Sequence, residues 1–249
     1  MAGHSKWSKI KRKKAVTDVR RGRLNTKLLR EVQIAAKMGG GNPDGNPRLK
    51  LAIQAARAMS VPSDNIDRAI KRGSGDVAGA DYEEIIYEGY APGGIALLIK
   101  ACTDNKNRTV AEVRHILSKG GGTLGGSNSV AHLFDEKGII AVPKPLIMED
   151  KLLELALEAG ALDVSDQDDV WEVVTEPRDF ARVSQVLEKL GEGIDAQLQM
   201  IARTSVQVTG SEAESVLRLV DALEDLDDVQ SVTANFEIDD EELKTISEE

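Results

Sequence analysis

The chain has 249 residues and a formal net charge of −10, and 41% of its residues are hydrophobic while only 3% are aromatic. These proportions are ordinary for a globular protein, so they exclude a disordered or fibrous chain. Because the longest apolar run, Ile95–Ile99, is far below the roughly 20 residues that span a bilayer, no membrane segment is predicted.

The charge is divided unevenly along the chain. Residues 1–75 contain 18 Lys and Arg against 5 Asp and Glu, whereas the remaining residues contain 14 and 37. A basic amino-terminal part with a net charge of +13 is therefore joined to an acidic part with a net charge of −23. This segregation predicts different roles for the two parts and a polyanion as the partner of the basic one.

Short amphipathic helices are predicted in the basic part. Apolar residues recur at helical spacing over Thr17–Met38, which predicts the first helix. Asn46 followed by Pro47 marks the start of a second helix, and Ser63 is expected to cap a third. The stretch before Thr17 has few apolar residues, so we expect an arm there that orders on contact with a partner.

After a short linker at 74–80 the pattern changes to strands. Glu84–Tyr90 and Ile95–Cys102 are predicted strands, and the Pro-Gly pair within Ala91–Gly94 suits a type II turn between them. A helix follows, which we expect to open with a capping box at 109–112. Alone, this hairpin and helix would leave a sheet edge open.

From Lys137 onward the elements follow the order βαββαβ, which is a split βαβ sandwich of the ferredoxin-like kind. The later elements, a helix opened by a Ser-x-x-Glu box at 211–214 and an alternating strand that ends at Ile238, have no sheet of their own. We expect them to complete the open hairpin. The sequence therefore predicts an α+β fold with a basic helical domain and arm at 1–75, a split α+β domain at 81–131 plus 204–240, and an inserted ferredoxin-like α+β domain at 132–203.

Basic side chains crowd into the arm and the first helix. Mutual repulsion makes such a run unfavourable unless a polyanion neutralises it, although a solvated tail is the alternative. Trp7 is the only aromatic residue there, and it either stacks on an unpaired base or packs against the helices. The predicted nucleic-acid-binding residues are Lys6, Trp7, Lys9, Lys11, Arg12, Lys13, Lys14, Arg20, Arg21, Arg23 and Lys27.

The turn at 59–62, between the second and third helices, has the length found in helix-turn-helix motifs. The third helix carries Asn65, Arg68, Lys71 and Arg72, which are residue types that contact nucleic acid. Two acids near the start of that helix would meet phosphate unfavourably. Groove recognition and ordinary packing within a helical bundle therefore both stay open for this helix.

Lys100, Lys106, Arg108 and Arg114 form a second basic cluster, for which nucleic-acid contact and a solvated face are both open. The stretch Gly120–Gly125 matches G-x-G-x-x-G, but it follows a predicted helix, whereas the dinucleotide-binding fingerprint follows a strand. We therefore expect a mobile loop there that reaches a partner.

No catalytic, metal-binding or cofactor-binding residues are predicted, and no small-molecule substrate. His4, His115 and His132 are widely separated, and the acidic turn at 163–169 lacks the central glycine of a calcium loop. Neither a nucleophile elbow nor a Walker A motif occurs. Cys102 lies in an apolar run, so we expect a buried thiol, and a single cysteine suits a reducing cytoplasm.

Four stretches carry a resemblance to a known family. They are MAGHSKWSKIKRKK, NPRLKLAIQAARAMSVPSDNIDRAIKRG, YEGYAPGGIALLIKACTDNKNRTVAEVR and GGTLGGSNSVAHLF. On these stretches, within residues 1–142, the chain closely resembles the YebC/PmpR family of bacterial proteins. The resemblance implies three domains, a cytoplasmic location and nucleic-acid binding usually described as transcriptional regulation. Relatives are also implicated in translation, where they help ribosomes through proline-rich stretches.

Two functions stay open at this point. The first is a non-enzymatic, DNA-binding transcriptional regulator whose acidic domains present surfaces to protein partners. The second is a ribosome-associated translation factor that places the same arm on ribosomal RNA and relieves stalling at proline-rich stretches. Attraction to phosphate does not distinguish DNA from RNA. A nuclease is a third class, and no residue pattern supports it.

Overall fold

The computed structural model describes residues 18–167, 169–239 and 242 and, for residues 18–21, only the course of the backbone. The described residues fall into two compact units, one at Phe134–Ile201 and the other on both sides of it. Helices and sheets occur together, which confirms the α+β class. The further division of the larger unit into a helical and a split α+β domain stays a prediction. None of the described helices is long and apolar enough to cross a membrane.

The basic part folds into the predicted helices, α1 (Asp18–Gly39), α2 (Pro47–Ala58) and α3 (Ser63–Gly73). Their apolar stripes meet in one aliphatic core, as the helical spacing of these residues requires. The buried residues of that core include Val32, Ala35, Leu49, Ile53, Ala56, Ile66 and Ala69.

The start of α2 is capped as predicted, but the start of α3 is not. Asn46 Oδ1 accepts a hydrogen bond from the backbone N–H of Leu49 at 3.1 Å, and its amide nitrogen donates to Ala35 O at 2.7 Å. At α3 the capping position falls on Pro62, and Ser63 is already the first helical residue. The predicted Ser63 cap is therefore wrong, because proline has no side-chain acceptor and the serine lies one position too far inside the helix.

Gly73 allows α3 to approach α1 closely. A Cβ atom at Gly73 would collide with Gln33 O and would lie 2.8 Å from Ala36 Cβ. We expect Gly73→Ala to lower the free energy of unfolding by about 1–3 kcal/mol, because the helices must move apart. In urea denaturation the control is Gly22→Ala in α1, where a Cβ meets nothing within 4 Å, and which should gain about 1 kcal/mol. Equal effects of the two substitutions would contradict this reading.

The larger unit also contains a four-stranded sheet in the order β3 (Thr123–Leu124), β1 (Glu83–Tyr90), β2 (Ala96–Thr103) and β9 (Val229–Ala234). Strand β9 pairs antiparallel with β2, so the late elements complete the hairpin as expected. Two helices pack with this sheet around a core that includes Leu97, Ile99, Leu117 and Leu217. The elements are β1 (Glu83–Tyr90), β2 (Ala96–Thr103), α4 (Lys106–Lys119), β3 (Thr123–Leu124), β8 (Val206–Gln207), α7 (Gly210–Glu224), β9 (Val229–Ala234) and β10 (Phe236–Glu237).

The connections of this unit follow local turn chemistry only in part. Gly93 has φ 76° and ψ 6°, as the third position of a type II turn requires, so the β1–β2 turn is as predicted. Both capping boxes are wrong. Helix α4 begins before Thr109 and is capped by Asn105, whose Oδ1 accepts from Arg108 N at 3.1 Å. Helix α7 follows Thr209, which makes no side-chain cap.

The glycine-rich segment after α4 is held by hydrogen bonds, which differs from the mobile loop that was expected. Its short strand β3 pairs with Gly89 and Tyr90 at the end of β1. Beyond it, Glu88 accepts hydrogen bonds from the backbone N–H groups of three residues, at 2.6, 2.7 and 2.8 Å; they are Asn128, Val130 and Ala131. Backbone pairing with β1 therefore holds the glycine-rich segment, and the buried carboxylate of Glu88 holds the residues that follow it.

The second unit has the predicted βαββαβ order. Its strands form a sheet in the order β5 (Ala161–Gln167), β6 (Val170–Thr175), β4 (Phe134–Pro143) and β7 (Asp195–Ala202). Strand β6 is antiparallel to both β4 and β5. Both helices contact the sheet, α5 at β5 and α6 at β4. The elements are β4 (Phe134–Pro143), α5 (Glu149–Ala159), β5 (Ala161–Gln167), β6 (Val170–Thr175), α6 (Pro177–Leu187) and β7 (Asp195–Ala202).

Cys102 lies inside the sheet of the larger unit, as predicted. Cys102 is 1% exposed, and burial raises the pKa of its thiol to about 12. A thiol with so high a pKa stays protonated near neutral pH, so it is a poor nucleophile.

In the part of the chain that the structure describes, no three His, Cys, Asp or Glu side chains are grouped as metal ligands would be.

Candidate nucleic-acid interface

Most of the predicted arm lies outside the described residues. This holds for Lys6, Trp7, Lys9, Lys11, Arg12, Lys13 and Lys14. Arg20 and Arg21 belong to α1, but only their backbone is described. Arg23 and Lys27 are the remaining members of the predicted set, and their side chains are described. The role of the arm therefore stays a prediction.

Arg23 and Lys27 lie along one face of α1 and contact the carboxyl-terminal end of α7. Arg23 Nη1 is 3.5 Å from Asp225 Oδ1, and Lys27 Nζ donates to Glu224 O at 2.5 Å. Cations are favoured at this end of a helix because the free carbonyl groups carry partial negative charge. Either side chain would have to exchange this contact for a phosphate contact, so their predicted role stays open.

Lys100, from the second basic cluster, belongs to a charge network that joins α1 and α2 to the sheet. Arg48 donates to Glu31 Oε1 at 2.8 Å and to Glu84 Oε2 at 2.5 Å, and Lys100 Nζ lies 3.3 Å from Glu84 Oε1. Burial would raise the pKa of Glu84, but the bonds from Arg48 and the charge of Lys100 lower it overall. The charge of Lys100 is therefore balanced inside the fold.

Two other members of the second cluster also have acidic partners. Lys106 Nζ is 2.6 Å from Glu83 Oε2, and Arg108 Nη2 donates to Asp228 Oδ2 at 2.7 Å. Arg114 is exposed, and no carboxylate among the described residues lies within 4.0 Å of its side-chain nitrogens. Three of the four cations are therefore paired with different carboxylates, and contact of this cluster with nucleic acid stays a prediction.

Five cations without acidic partners lie on α2 and α3. Each is exposed, and within 22–167 and 169–239 none has a carboxylate oxygen inside the 4.0 Å limit of an ion pair. Sequence reasoning singled out those of the third helix but missed the two on α2, although their spacing of seven places them on one helix face. These residues are Lys50, Arg57, Arg68, Lys71 and Arg72.

A cavity of about 250 Å³ lies between α1 and α3, and we call it the α1–α3 groove. Each helix contributes one stripe of side chains, and no acidic residue is among the described residues that line it. Arg30 and Tyr82 both line it, and the Arg30 guanidinium carbon is 5.1 Å from the ring centroid of Tyr82. The lining residues are Thr26, Leu29, Arg30, Gln33, Asn65, Arg68, Ala69, Arg72 and Tyr82.

The cations of the α1–α3 groove differ in how they are paired. Arg30 Nη1 donates to Asp228 Oδ1 at 3.1 Å, and the Arg30 side chain is only 14% exposed. Arg68 and Arg72 are exposed and belong to the set without carboxylate partners. Positive charge from these two side chains therefore faces the groove and solvent without compensation, which favours an anionic ligand.

Comparison with known proteins places this helical and α+β architecture in a defined class. A family model described as the TACO1/YebC protein N-terminal domain matches residues 5–76, and one described as the TACO1/YebC second and third domain matches residues 82–236. The chain belongs to the TACO1/YebC family, which confirms the resemblance found in the sequence.

Similar proteins cover nearly the whole chain. A probable transcriptional regulatory protein of Chloroherpeton thalassium is 53% identical, with 100% of both chains covered. Another of Desulforapulum autotrophicum is 51% identical and covers 97% of this chain and 98% of its own. The crystal structure of a conserved hypothetical protein from Aquifex aeolicus is 48% identical, with a TM-score of 0.81 over 90% of this chain and 93% of its own.

Proposed function

We propose that the chain is a non-enzymatic protein that binds nucleic acid and acts as a DNA-binding transcriptional regulator. One observation carries the proposal: Lys50, Arg57, Arg68, Lys71 and Arg72 are exposed on α2 and α3, without an acidic partner among the described residues. The relatives named above supply a second, coarser support, because they are called probable transcriptional regulatory proteins. The cytoplasmic location expected from the sequence remains a prediction.

The charge balance of residues 1–75 explains why a polyanion suits this surface. Several cations of the larger unit are matched by carboxylates, as Arg48 is by Glu31 and Glu84. Acids outside residues 1–75 balance part of the +13 excess of that range, as Asp228 does for Arg30 and Asp81 for Lys37, and the rest remains for an outside partner. Binding to DNA releases the counterions condensed on its phosphates, which gives affinity without sequence recognition. The acidic remainder of the chain repels further DNA and leaves surfaces for protein partners.

The test is a salt titration of the full chain with a DNA duplex. If about six cations meet phosphates, the logarithm of the association constant should fall against the logarithm of salt with a slope of about −5. A promoter duplex should also compete better than random duplex at moderate salt. An affinity that does not change between 50 and 200 mM salt, roughly the range over which such contacts matter, would falsify the proposal.

The arm is expected to supply a large part of this binding. Replacing Lys9, Lys11, Arg12, Lys13 and Lys14 together by alanine should reduce affinity for duplex DNA by about 100-fold or more near 0.1 M salt and flatten the salt slope. Fluorescence anisotropy at two salt concentrations measures both effects, and circular dichroism checks the fold.

A matched control removes the same charge from exposed positions in the acidic part of the chain. It replaces five basic residues there by alanine and should bind DNA as the unchanged chain does, or slightly more weakly. An equal loss in the two variants would show that only net charge matters and that the arm has no special contact. The control positions are Lys119, Lys151, Arg178, Lys189 and Arg218.

Sedimentation with ribosomes and crosslinking in cells decide between DNA and ribosomal RNA. A translation factor should sediment with ribosomes and crosslink to ribosomal RNA in cells, whereas a regulator should crosslink to promoter DNA. Recovery of ribosomal RNA alone would replace the transcriptional role by the translational one, while the charge argument for nucleic-acid binding would stand.

A further inference from the structure

We propose that the α1–α3 groove is the seat of one backbone phosphate of the bound nucleic acid, held by Arg68 and Arg72. This inference rests on the proposed function, because it names a site within the nucleic-acid-binding surface. Nothing in the relatives' names assigns a ligand to this groove, and the groove is formed by residues 26–82 rather than by the arm.

Helical spacing places the two arginines on the same side of α3. Residues four apart are neighbours on a helix, with about 5–6 Å between their Cβ atoms, so both guanidinium groups can reach one anion. A guanidinium group is planar and donates two parallel hydrogen bonds to a phosphate, which a lysine cannot do. Arg68 and Arg72 therefore have the geometry for a shared phosphate and no carboxylate partner to give up.

Neutral polar groups complete the lining of the groove. Asn65 lies one turn before Arg68 on α3, and its side-chain amide makes no hydrogen bond with the described residues. Thr26 Oγ1 donates to Gly22 O at 3.1 Å, which leaves the hydroxyl able to accept another bond. Gln33 donates to Ala80 O at 2.8 Å, so its position is fixed. The amide N–H groups of Asn65 can donate to the phosphate, sugar or ester oxygens, whereas the Thr26 hydroxyl can accept only from a donor such as a bridging water.

Arg30 and Tyr82 also line the groove. Arg30 is oriented by Asp228 and by the ring of Tyr82, so its charge adds to the local potential, and its buried Nε has no hydrogen-bond partner among the described residues. The volume of about 250 Å³ accommodates a phosphodiester unit with bridging water but is far too small for a duplex. The groove therefore contacts one strand, through its backbone.

The first test compares two double variants of the full chain. Arg68→Gln/Arg72→Gln removes two positive charges from the groove, and Lys50→Gln/Arg57→Gln removes two from exposed positions on α2, outside the groove. We expect the groove variant to lose about 100-fold in affinity for duplex DNA or ribosomal RNA fragments, and the α2 variant about 10-fold or less. Thermal denaturation should show similar stability, because all four side chains are at the surface.

A charge-conserving variant separates geometry from net charge. Arg68→Lys/Arg72→Lys keeps both charges but removes the paired hydrogen bonds, so it should recover only part of the lost affinity. In addition, the side-chain amide signal of Asn65 should shift when a short single-stranded oligonucleotide is added, and should not shift in the double glutamine variant.

The outcomes distinguish this inference from the proposed function. Equal losses in the groove and α2 variants, or full recovery with lysine, overturn the groove as a phosphate seat while leaving nucleic-acid binding in place. If the unchanged protein binds neither DNA nor RNA in dilute buffer, the proposed function fails and the groove inference fails with it. A larger loss at the groove with partial recovery supports both.

Discussion

Replacing Asp228 by alanine is expected to lower the free energy of unfolding by about 3–5 kcal/mol, because it leaves the mostly buried Arg30 without its counter-charge and removes the acceptor of two buried threonine hydroxyls. Asp228 is 3% exposed and lies just before β9. Its carboxylate accepts hydrogen bonds at 3.1, 2.7, 2.7 and 3.1 Å from four side chains, which are Thr103, Thr109, Arg108 and Arg30. One residue before β9 thus joins α1, the end of β2 and the first turn of α4.

The charge of Asp228, and not only its shape, should account for much of this effect. Burial would raise the pKa of Asp228, but the hydrogen bonds from Arg108, Thr109 and Thr103 outweigh it, so the pKa is lowered overall. A carboxyl group whose pKa is lower in the folded state stabilises the fold above its ordinary pKa of about 3.9. That stabilisation is lost as the pH falls through the folded-state pKa.

The measurement is urea denaturation of the protein and of Asp228→Asn at pH 7 and at successively lower pH. The two should differ most at pH 7, and the difference should shrink below about pH 4. The control is Asp225→Asn in the same acidic segment, where the contact with Arg23 is 3.5 Å and both side chains are about half exposed. Its effect should be below about 1 kcal/mol. A constant difference at all pH values would refute the electrostatic explanation.

The sequence alone was sufficient to predict the helices of the basic part and the fold class. Helical spacing of apolar residues predicted α1, α2 and α3, and the βαββαβ order predicted the second unit. These signals are local and repeated over many residues, so one misplaced residue does not hide them. The pairing of the late strand with β2 was also accessible, because an open sheet edge needs a partner.

The caps show where local signals fail. Thr109 has the residue type and spacing of a cap, but its hydroxyl bonds to Asp228, which is 119 positions away in the chain. Ser63 loses the capping position to its neighbour Pro62. A pattern of four residues cannot show that a distant carboxylate competes for the same hydroxyl.

One part of the candidate interface could be predicted from the sequence, and another part needed the fold. The residues of α3 were singled out from composition, whereas the groove needs the packing of α3 on α1 and was not predicted. Lys100, Lys106 and Arg108 form a cluster in the sequence, but each meets a carboxylate contributed by another element. Composition counts charges, and only the fold shows which of them remain unpaired.

Replacing Glu88 by alanine is the second substitution with a large expected effect. Glu88 is 8% exposed, and its carboxylate is the acceptor for the backbone N–H groups of Asn128, Val130 and Ala131. Asn128 has φ 63°, a left-handed conformation that costs energy and needs support from its surroundings. Burial raises the pKa of Glu88, but these three hydrogen bonds outweigh it and lower the pKa overall, so the carboxylate stays charged.

Alanine at position 88 leaves three backbone donors without an acceptor, at roughly 1–3 kcal/mol each where water cannot reach them. We therefore expect a loss of about 3 kcal/mol or more in urea denaturation, with faster amide hydrogen exchange confined at first to 125–131. Glu83→Ala, on the exposed part of the same strand, is the matched control and should cost less than about 1 kcal/mol. Since Glu88 has a lowered pKa, its contribution should also disappear as the pH falls below about 4. Unchanged exchange at 125–131 in Glu88→Ala would show that these residues are held by other contacts rather than by this carboxylate.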